Sequence, residues 1–183
     1  MFDSLLARIA AKLDALDLPY MVIGGQAVLL YGEPRLTVDI DITLGATVDQ
    51  LTMVLKAVEA IGLRPLVDPE PFVHETMVLP CEEPDSGIRV DFIFSSSPYE
   101  RQAIEHARMV RLANVPVRFA SLEDVIIHKV IAGRPRDLED VRTMLIKNRE
   151  LDSAYIQGWL DQFDEALDEP YRARFDALLG ESL

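Results

Sequence analysis

Hydrophobic and polar residues alternate without interruption over residues 36–44, which read Leu-Thr-Val-Asp-Ile-Asp-Ile-Thr-Leu. Because successive side chains of a strand point to opposite faces, this pattern predicts a strand over Arg35–Leu44 with one face in a core. The residues predicted to enter that core are Leu36, Val38, Ile40, Ile42 and Leu44. The polar face then carries Thr37, Asp39, Asp41 and Thr43.

The same alternation recurs at Ile88–Phe94 and predicts a second strand, with Arg89, Asp91 and Ile93 on its outer face. A third strand-like run, His74–Leu79, precedes it and is separated from it by a loop over residues 80–87 that is rich in turn-forming residues. Together with the strand at residues 35–44, these runs predict a sheet of three strands.

Apolar residues spaced three and four positions apart predict helices along most of the remaining chain. These cover Phe2–Asp17, Gln26–Tyr31, Thr47–Ile61 and residues 97–107, 121–132, 136–148, 152–167 and 169–179. Short strands are predicted at Tyr20–Ile23, Met109–Leu112 and Val115–Arg118. The predicted fold class is therefore α/β (α+β), a mixed sheet flanked by helices, with a core domain over 1–118 and a C-terminal helical region over 119–183 packed on it.

Composition narrows the class of protein further. The chain has 183 residues, of which 49% are hydrophobic and 27% charged, as expected for one globular domain or one domain with a small appendage. A single cysteine, Cys81, cannot form an internal disulfide, and no apolar run approaches the ~20 residues of a membrane span. The N-terminus lacks the pattern of a signal peptide. We therefore expect a cytoplasmic protein with no membrane association.

The formal net charge of −13 is distributed unevenly. Residues 101–149 carry ten basic and six acidic side chains, whereas the segments before and after them are strongly acidic. This distribution excludes a broad basic surface for duplex DNA, but it leaves room for a local basic patch that binds a triphosphate. The acidic remainder is equally suited to a basic protein partner.

Asp39 and Asp41 are the strongest candidates for chemistry. Two residues apart on one strand face, their Cα atoms lie ~6.7 Å apart, and two ionised carboxylates there repel by about 2–3 kcal/mol at an effective dielectric near 20. Water on a solvated strand face can screen this repulsion, or a divalent cation can relieve it. If residues 88–94 pair with this strand, Asp91 joins the same face, and three carboxylates have the oxygen ligands to hold one or two Mg²⁺ ions.

A diglycine, Gly24-Gly25, lies between the apolar run at Tyr20–Ile23 and the start of a predicted helix. Without Cβ atoms, such residues allow backbone amides to approach phosphate oxygens closely, and a helix N-terminus adds partial positive charge. Most diglycines are only turns. This one precedes the Asp39–Asp41 pair by about 14 residues, which makes it more specific.

Gly24-Gly-Gln-Ala27, Gly32, Arg35, Thr37 and Asp39-Ile-Asp41 together resemble the nucleotidyltransferases of the DNA polymerase β superfamily. More narrowly, they resemble the AbiEii-like minimal nucleotidyltransferases that act as toxin halves of bacterial toxin–antitoxin pairs. The resemblance implies a nucleotidyltransferase fold in which Gly24 and Gly25 hold the triphosphate. It also implies that Asp39, Asp41 and Asp91 are the metal-binding and catalytic residues, with Asp91 activating the acceptor hydroxyl.

The narrower group shares the spacing Arg35-x-Thr37-x-Asp39 and a downstream Lys129…Arg136-Asp137…Asp140. By this resemblance the nucleotide-binding candidates, besides the two glycines, are Gln26, Arg35, Thr37, Lys129 and Arg136. The role of Gln26 stays open. Lys129 and Arg136 fit ion pairs with Asp137, Glu139 or Asp140 equally well, and Arg35 fits an ion pair near the start of the strand.

The resulting hypothesis is an enzyme that uses Mg²⁺, or alternatively Mn²⁺, to move a nucleoside monophosphate from a nucleoside triphosphate to an acceptor hydroxyl. The acceptor, whether a tRNA end, a protein or a small molecule, is left open. Such an enzyme can be a toxin with an antitoxin-like protein partner. The alternatives are a catalytically silent nucleotide-binding or interaction module of the same fold, and an antibiotic-modifying nucleotidyltransferase.

Overall fold

The computed structural model describes residues 2–34 and 36–182. Its internal contacts divide the chain into two compact units, one formed by residues 1–26 and 37–120 and the other by residues 27–36 and 121–183. The first unit therefore ends two residues beyond the domain boundary expected from the sequence. Residues 27–36, which the sequence assigned to the core domain, group with the second unit instead.

Nine α-helices and seven strands occur in the described residues. The helices are α1 (Phe2–Ala15), α2 (Gly24–Tyr31), α3 (Leu51–Ile61), α4 (Pro69–Thr76), α5 (Pro98–Glu105), α6 (Leu122–Ala132), α7 (Pro135–Lys147), α8 (Ser153–Leu167) and α9 (Tyr171–Ser182). The strands are β1 (Tyr20–Ile23), β2 (Asp39–Gly45), β3 (Arg64–Pro65), β4 (Val78–Glu83), β5 (Ile88–Ser95), β6 (Arg108–Leu112) and β7 (Val115–Phe119). No helix within this part of the chain combines the length and the apolar character that crossing a membrane requires.

The first unit is built on one mixed sheet with the strand order β3-β4-β5-β2-β1-β7-β6. The central strands β2 and β5 run parallel, and β1 runs antiparallel to β2. Ile40, Ile42 and Leu44 of β2 are fully buried, as the alternation predicted. The mixed α/β class is confirmed, with seven strands in the described residues where the sequence predicted six, three in one sheet and three short ones.

The second unit contains four consecutive helices, α6 to α9, which contact one another. Helix α6 begins after Ser121, whose hydroxyl accepts a hydrogen bond from the backbone amide of Asp124 and so caps the helix. The interior of the unit is mainly apolar, with Ile127, Val130 and Phe175 fully buried, although the charged side chains of Lys129 and Asp137 are buried too.

The beginning of the central strand was predicted wrongly. Strand β2 begins at Asp39 rather than near residue 35, and the side chains of Leu36 and Val38 are 82% and 67% exposed instead of entering the core. The pairing of β2 with β5 begins only at Asp39, opposite Arg89. Alternation alone does not show where a strand loses its neighbour, so it extended the strand too far.

The predictions for residues 65–87 were partly wrong. Residues 69–76 form helix α4, although a strand was predicted from His74 onward. The helix begins at Pro69, a favoured residue for a first helical position. The third strand lies at Val78–Glu83 and includes Pro80, which the sequence analysis placed in a loop. Proline has no amide hydrogen to donate to a neighbouring strand, but the Pro80 carbonyl still accepts a hydrogen bond from the Leu66 amide. The proline is tolerated because the adjoining strand β3 is only two residues long.

Candidate functional site

The three aspartates lie on two adjacent parallel strands. In the register between β2 and β5, Asp41 is directly opposite Asp91, and Asp39 is opposite Arg89. Residues two apart on a strand share a face, so Asp39, Asp41 and Asp91 lie on the same side of the sheet. All three are partly exposed, between fully buried apolar neighbours such as Ile40 and Val90. The structure therefore brings together the three carboxylates that the sequence selected.

The carboxylate of Asp39 is held by a neighbouring hydroxyl. Thr37 Oγ1 donates a hydrogen bond to Asp39 Oδ1 at 3.2 Å. The side-chain amide of Gln26, which is buried, lies 3.5 Å from the backbone carbonyl of Asp39. Thr37 and Gln26, both predicted to bind nucleotide, therefore contact Asp39, which gives each of them a role in positioning this strand end.

Gly24 packs directly against the carboxylate of Asp41. Strand β1 places Ile23 opposite Asp41, and Gly24 follows with a φ of +63°, at the first position of α2. A Cβ atom at this position would lie 2.9 Å from Asp41 Cγ and would overlap Oδ2. Glycine is therefore required twice, for the left-handed backbone and for the approach of the carboxylate. Gly25 follows as a buried residue of the first helical turn, whose amides have no partner within the helix.

Arg89 contributes a positive charge to the same face. Its Nε donates to Asp91 Oδ1 at 2.9 Å, with the Arg89 side chain 55% exposed and that of Asp91 17% exposed. The hydrogen bond to Asp91 and the charge of that carboxylate raise the pKa of the guanidinium, and the charges of Asp39 and Asp41 act in the same direction. The alternation at residues 88–94 predicts Arg89 on this face, but Arg89 was not among the predicted site residues. Its position two residues before Asp91 is the signal that could have identified it.

The donor atoms of this face suit a divalent cation, because hard ions such as Mg²⁺ prefer carboxylate oxygens. Within residues 2–34 and 36–182, however, no three acidic, histidine or cysteine side chains stand close enough together to hold a metal ion. The residue types and the register fit such an ion, whereas the present side-chain arrangement does not.

The basic candidates of the C-terminal region lie in the second unit. Lys129 is buried and its Nζ contacts Asp137 Oδ1 at 2.5 Å and Asp140 Oδ2 at 3.1 Å, which favours the ion-pair alternative for this residue. Burial acts to raise the pKa of Asp137, but hydrogen bonds from Lys129 and Arg134 outweigh it and lower the pKa. Arg136 is exposed and its guanidinium lies 3.4 Å from the Leu36 carbonyl. Arg35, a further nucleotide-binding candidate, lies outside the described residues.

Structural comparison supports the fold. An antigenic nucleotidyltransferase-like protein from Paracoccidioides brasiliensis is 17% identical with a TM-score of 0.57, over 97% of this chain and 91% of that one. The structure of ANT(2")-Ia in complex with adenylyl-2"-tobramycin is 20% identical with a TM-score of 0.58, over 96% and 97%. The lincosamide antibiotic adenylyltransferase LnuA, with lincomycin bound, is 17% identical with a TM-score of 0.50, over 72% and 89%.

At these identities the comparisons establish the nucleotidyltransferase fold. No curated protein sequence matches the chain. A family model described as "Nucleotidyltransferase of unknown function" matches residues 1–176. Since this match spans nearly the whole sequence, the chain belongs to the DUF6036 family of nucleotidyltransferases.

Proposed function

We propose that the protein is a divalent-metal-dependent enzyme that transfers a nucleoside monophosphate from a nucleoside triphosphate to an acceptor hydroxyl. The observation that carries this proposal is the register that sets Asp41 opposite Asp91, with Asp39 on the same face and Gly24 against Asp41. A bound Mg²⁺ or Mn²⁺ would neutralise phosphate charge and stabilise the attacking and leaving oxygens. Asp39, Asp41 and Asp91 are the residues proposed to hold it.

The chain's own residues have distinct parts in this scheme. The first amides of α2, at Gly24 and Gly25, are suited to bind phosphate oxygens. Thr37 keeps the Asp39 carboxylate oriented. Asp91 is proposed to accept the proton of the acceptor hydroxyl as its oxygen bonds to the α-phosphorus and the bond to pyrophosphate breaks. Catalysis then depends on positioning and charge neutralisation.

The test is nucleotide transfer by the purified protein. Each α-labelled nucleoside triphosphate is incubated with the protein, Mg²⁺ or Mn²⁺, and a cell extract as the source of acceptor, while pyrophosphate release is measured. Asp39→Asn and Asp41→Asn should each lower turnover at least ~100-fold, because each removes a carboxylate charge where phosphate charge must be neutralised. Asp85→Asn is the matched control, since Asp85 lies exposed in the turn between β4 and β5. Equal turnover in all three variants and the parent rejects the assignment.

The acceptor divides the proposal into two candidates. The resemblance to AbiEii-like proteins favours a toxin that modifies a tRNA end or a protein and that has an antitoxin-like partner. The fold shared with the antibiotic-modifying ANT(2")-Ia and LnuA, together with the net charge of −13, favours a small cationic acceptor instead. Expression that arrests growth supports the first candidate, and expression that confers drug resistance supports the second. Calorimetric binding of a nucleoside triphosphate without pyrophosphate release in any extract would favour the silent binding module.

A further inference from the structure

Arg89 lies on the sheet face that carries Asp39, Asp41 and Asp91, called here the acidic face. It has charged neighbours on both adjacent strands. On β2 it is opposite Asp39, and on β4 it is opposite Glu82. Glu82 is paired with Arg64 at 2.9 Å, so Arg89 makes its own ion pair along β5, with Asp91. The Arg89–Asp91 pair is therefore set by strand geometry, since residues two apart on one strand project from the same face.

This pair determines where one carboxylate oxygen of Asp91 points. Asp91 Oδ1 lies 2.9 Å from Arg89 Nε, while Asp41 is the direct cross-strand neighbour of Asp91. An oxygen that accepts a bond from a guanidinium cannot at the same time coordinate a cation at full strength, because both compete for the same electron density. In agreement with this, no group of three potential ligands is assembled among the described residues.

We propose that Arg89 is a displaceable counter-ion that holds Asp91 in the absence of a divalent cation and competes with that cation for the Asp91 carboxylate. The inference rests on the proposed function, because it presupposes that the acidic face binds a metal. Arg89 is thus a positioning residue that acts through Asp91. Its exposed side chain has room to move towards solvent when the cation arrives.

The expected consequence is measurable as metal affinity. Removing the guanidinium eliminates both the bond to Asp91 and the repulsion between two cations on one face. We expect Arg89→Gln to bind Mn²⁺ about tenfold more tightly than the parent, a modest value because the site is partly exposed and screened. Arg89→Lys keeps the charge and should stay within about threefold of the parent.

The experiment uses the full chain without nucleotide and follows Mn²⁺ binding by calorimetry and by the paramagnetic signal of free Mn²⁺. Arg8→Gln is the matched control, because Arg8 is similarly exposed and forms a 2.9 Å ion pair with Glu83. Glu83 is next to Glu82 on β4, so it projects from the opposite face of the sheet. Asp41→Asn reports whether the measured binding belongs to the acidic face, and it should abolish that binding.

A second measurement uses the parent protein and needs no folded variant. Titration with Mg²⁺ should shift the Arg89 Nε–H signal in an NMR spectrum and accelerate its exchange with solvent, as its bond to Asp91 breaks. A signal that stays unchanged and protected at saturating Mg²⁺ overturns the inference, as does an Arg89→Gln affinity equal to that of Arg8→Gln. Either result leaves the proposed function standing as long as the parent binds metal and transfers nucleotide. A parent that does neither defeats both.

Discussion

Replacement of Gly24 by alanine tests the contact on which the arrangement of the candidate site depends. Gly24 has a φ of +63°, and an added Cβ would overlap Asp41 Oδ2. Gly87 offers a matched comparison, since its φ is +70° but an added Cβ meets nothing within 4 Å. The two substitutions share the cost of a left-handed alanine, and only Gly24→Ala displaces a carboxylate.

The shared cost is about 1–2 kcal/mol in the free energy of unfolding. For Gly24→Ala, relief of the overlap requires Asp41, or the turn that carries Gly24, to shift by about 1 Å. A displacement of that size in a reacting site lowers turnover ~100-fold, equivalent to about 2.7 kcal/mol of transition-state stabilisation. We therefore expect the two variants to be comparable in stability and widely different in nucleotide transfer.

Stability is measured by urea denaturation followed by circular dichroism, and activity by pyrophosphate release under the conditions that give transfer in the parent. The reasoning is refuted if Gly24→Ala retains transfer within about twofold of Gly87→Ala. It is refuted equally if Gly87→Ala loses as much activity, because the loss would then come from backbone strain rather than from the contact with Asp41.

Four further predictions concern stability and reactivity. Lys129→Met leaves Asp137 and Asp140 without their buried cation, so we expect the unfolding free energy from urea titration to fall by about 3 kcal/mol. Arg134→Gln, which removes an exposed partner of Asp137, should cost less than about 1 kcal/mol. Because the pKa of Asp137 is lowered in the folded state, its stabilising contribution is complete above its ordinary value of 3.8 and is lost as the pH falls through the folded-state value. Asp137→Asn should flatten that part of the stability profile. Burial raises the pKa of the Cys81 thiol to about 12, with a further contribution from Asp91. A thiol reagent at pH 8 should therefore label Cys81 only after denaturation, and labelling of the native protein at the denatured rate would contradict this.

The sequence predicted the elements whose local pattern and three-dimensional environment agree. Alternation placed Ile40 and Ile42 correctly in the core because β2 pairs with β5 at both positions, and at Ile42 with β1 as well. The same alternation failed at Leu36 and Val38, where that pairing is absent and the side chains remain exposed. Periodicity reports which face a residue occupies, whereas burial also depends on strands that are distant in sequence.

The candidate site could likewise be predicted from the sequence only in part. The spacing of Asp39 and Asp41 is local, so the sequence alone identified them. The neighbour relation between Asp41 and Asp91 depends on the register of two strands about 50 residues apart, which the sequence could state only as a condition. The contacts of Lys129 are set by side-chain packing between α6 and α7, and spacing could not decide between an ion pair and a phosphate contact.

The charge on the acidic face explains how the carboxylates coexist and bears on the cation of the proposed function. Three aspartates and Arg89 together carry a formal charge of −2, while the adjacent Glu82 is neutralised by Arg64. Arg89 lowers the repulsion between the carboxylates, and under the proposed function the charge that remains would match one divalent cation. Without Arg89, the face would attract the proposed cation more strongly, but the greater repulsion between the carboxylates would lower the stability of the metal-free protein.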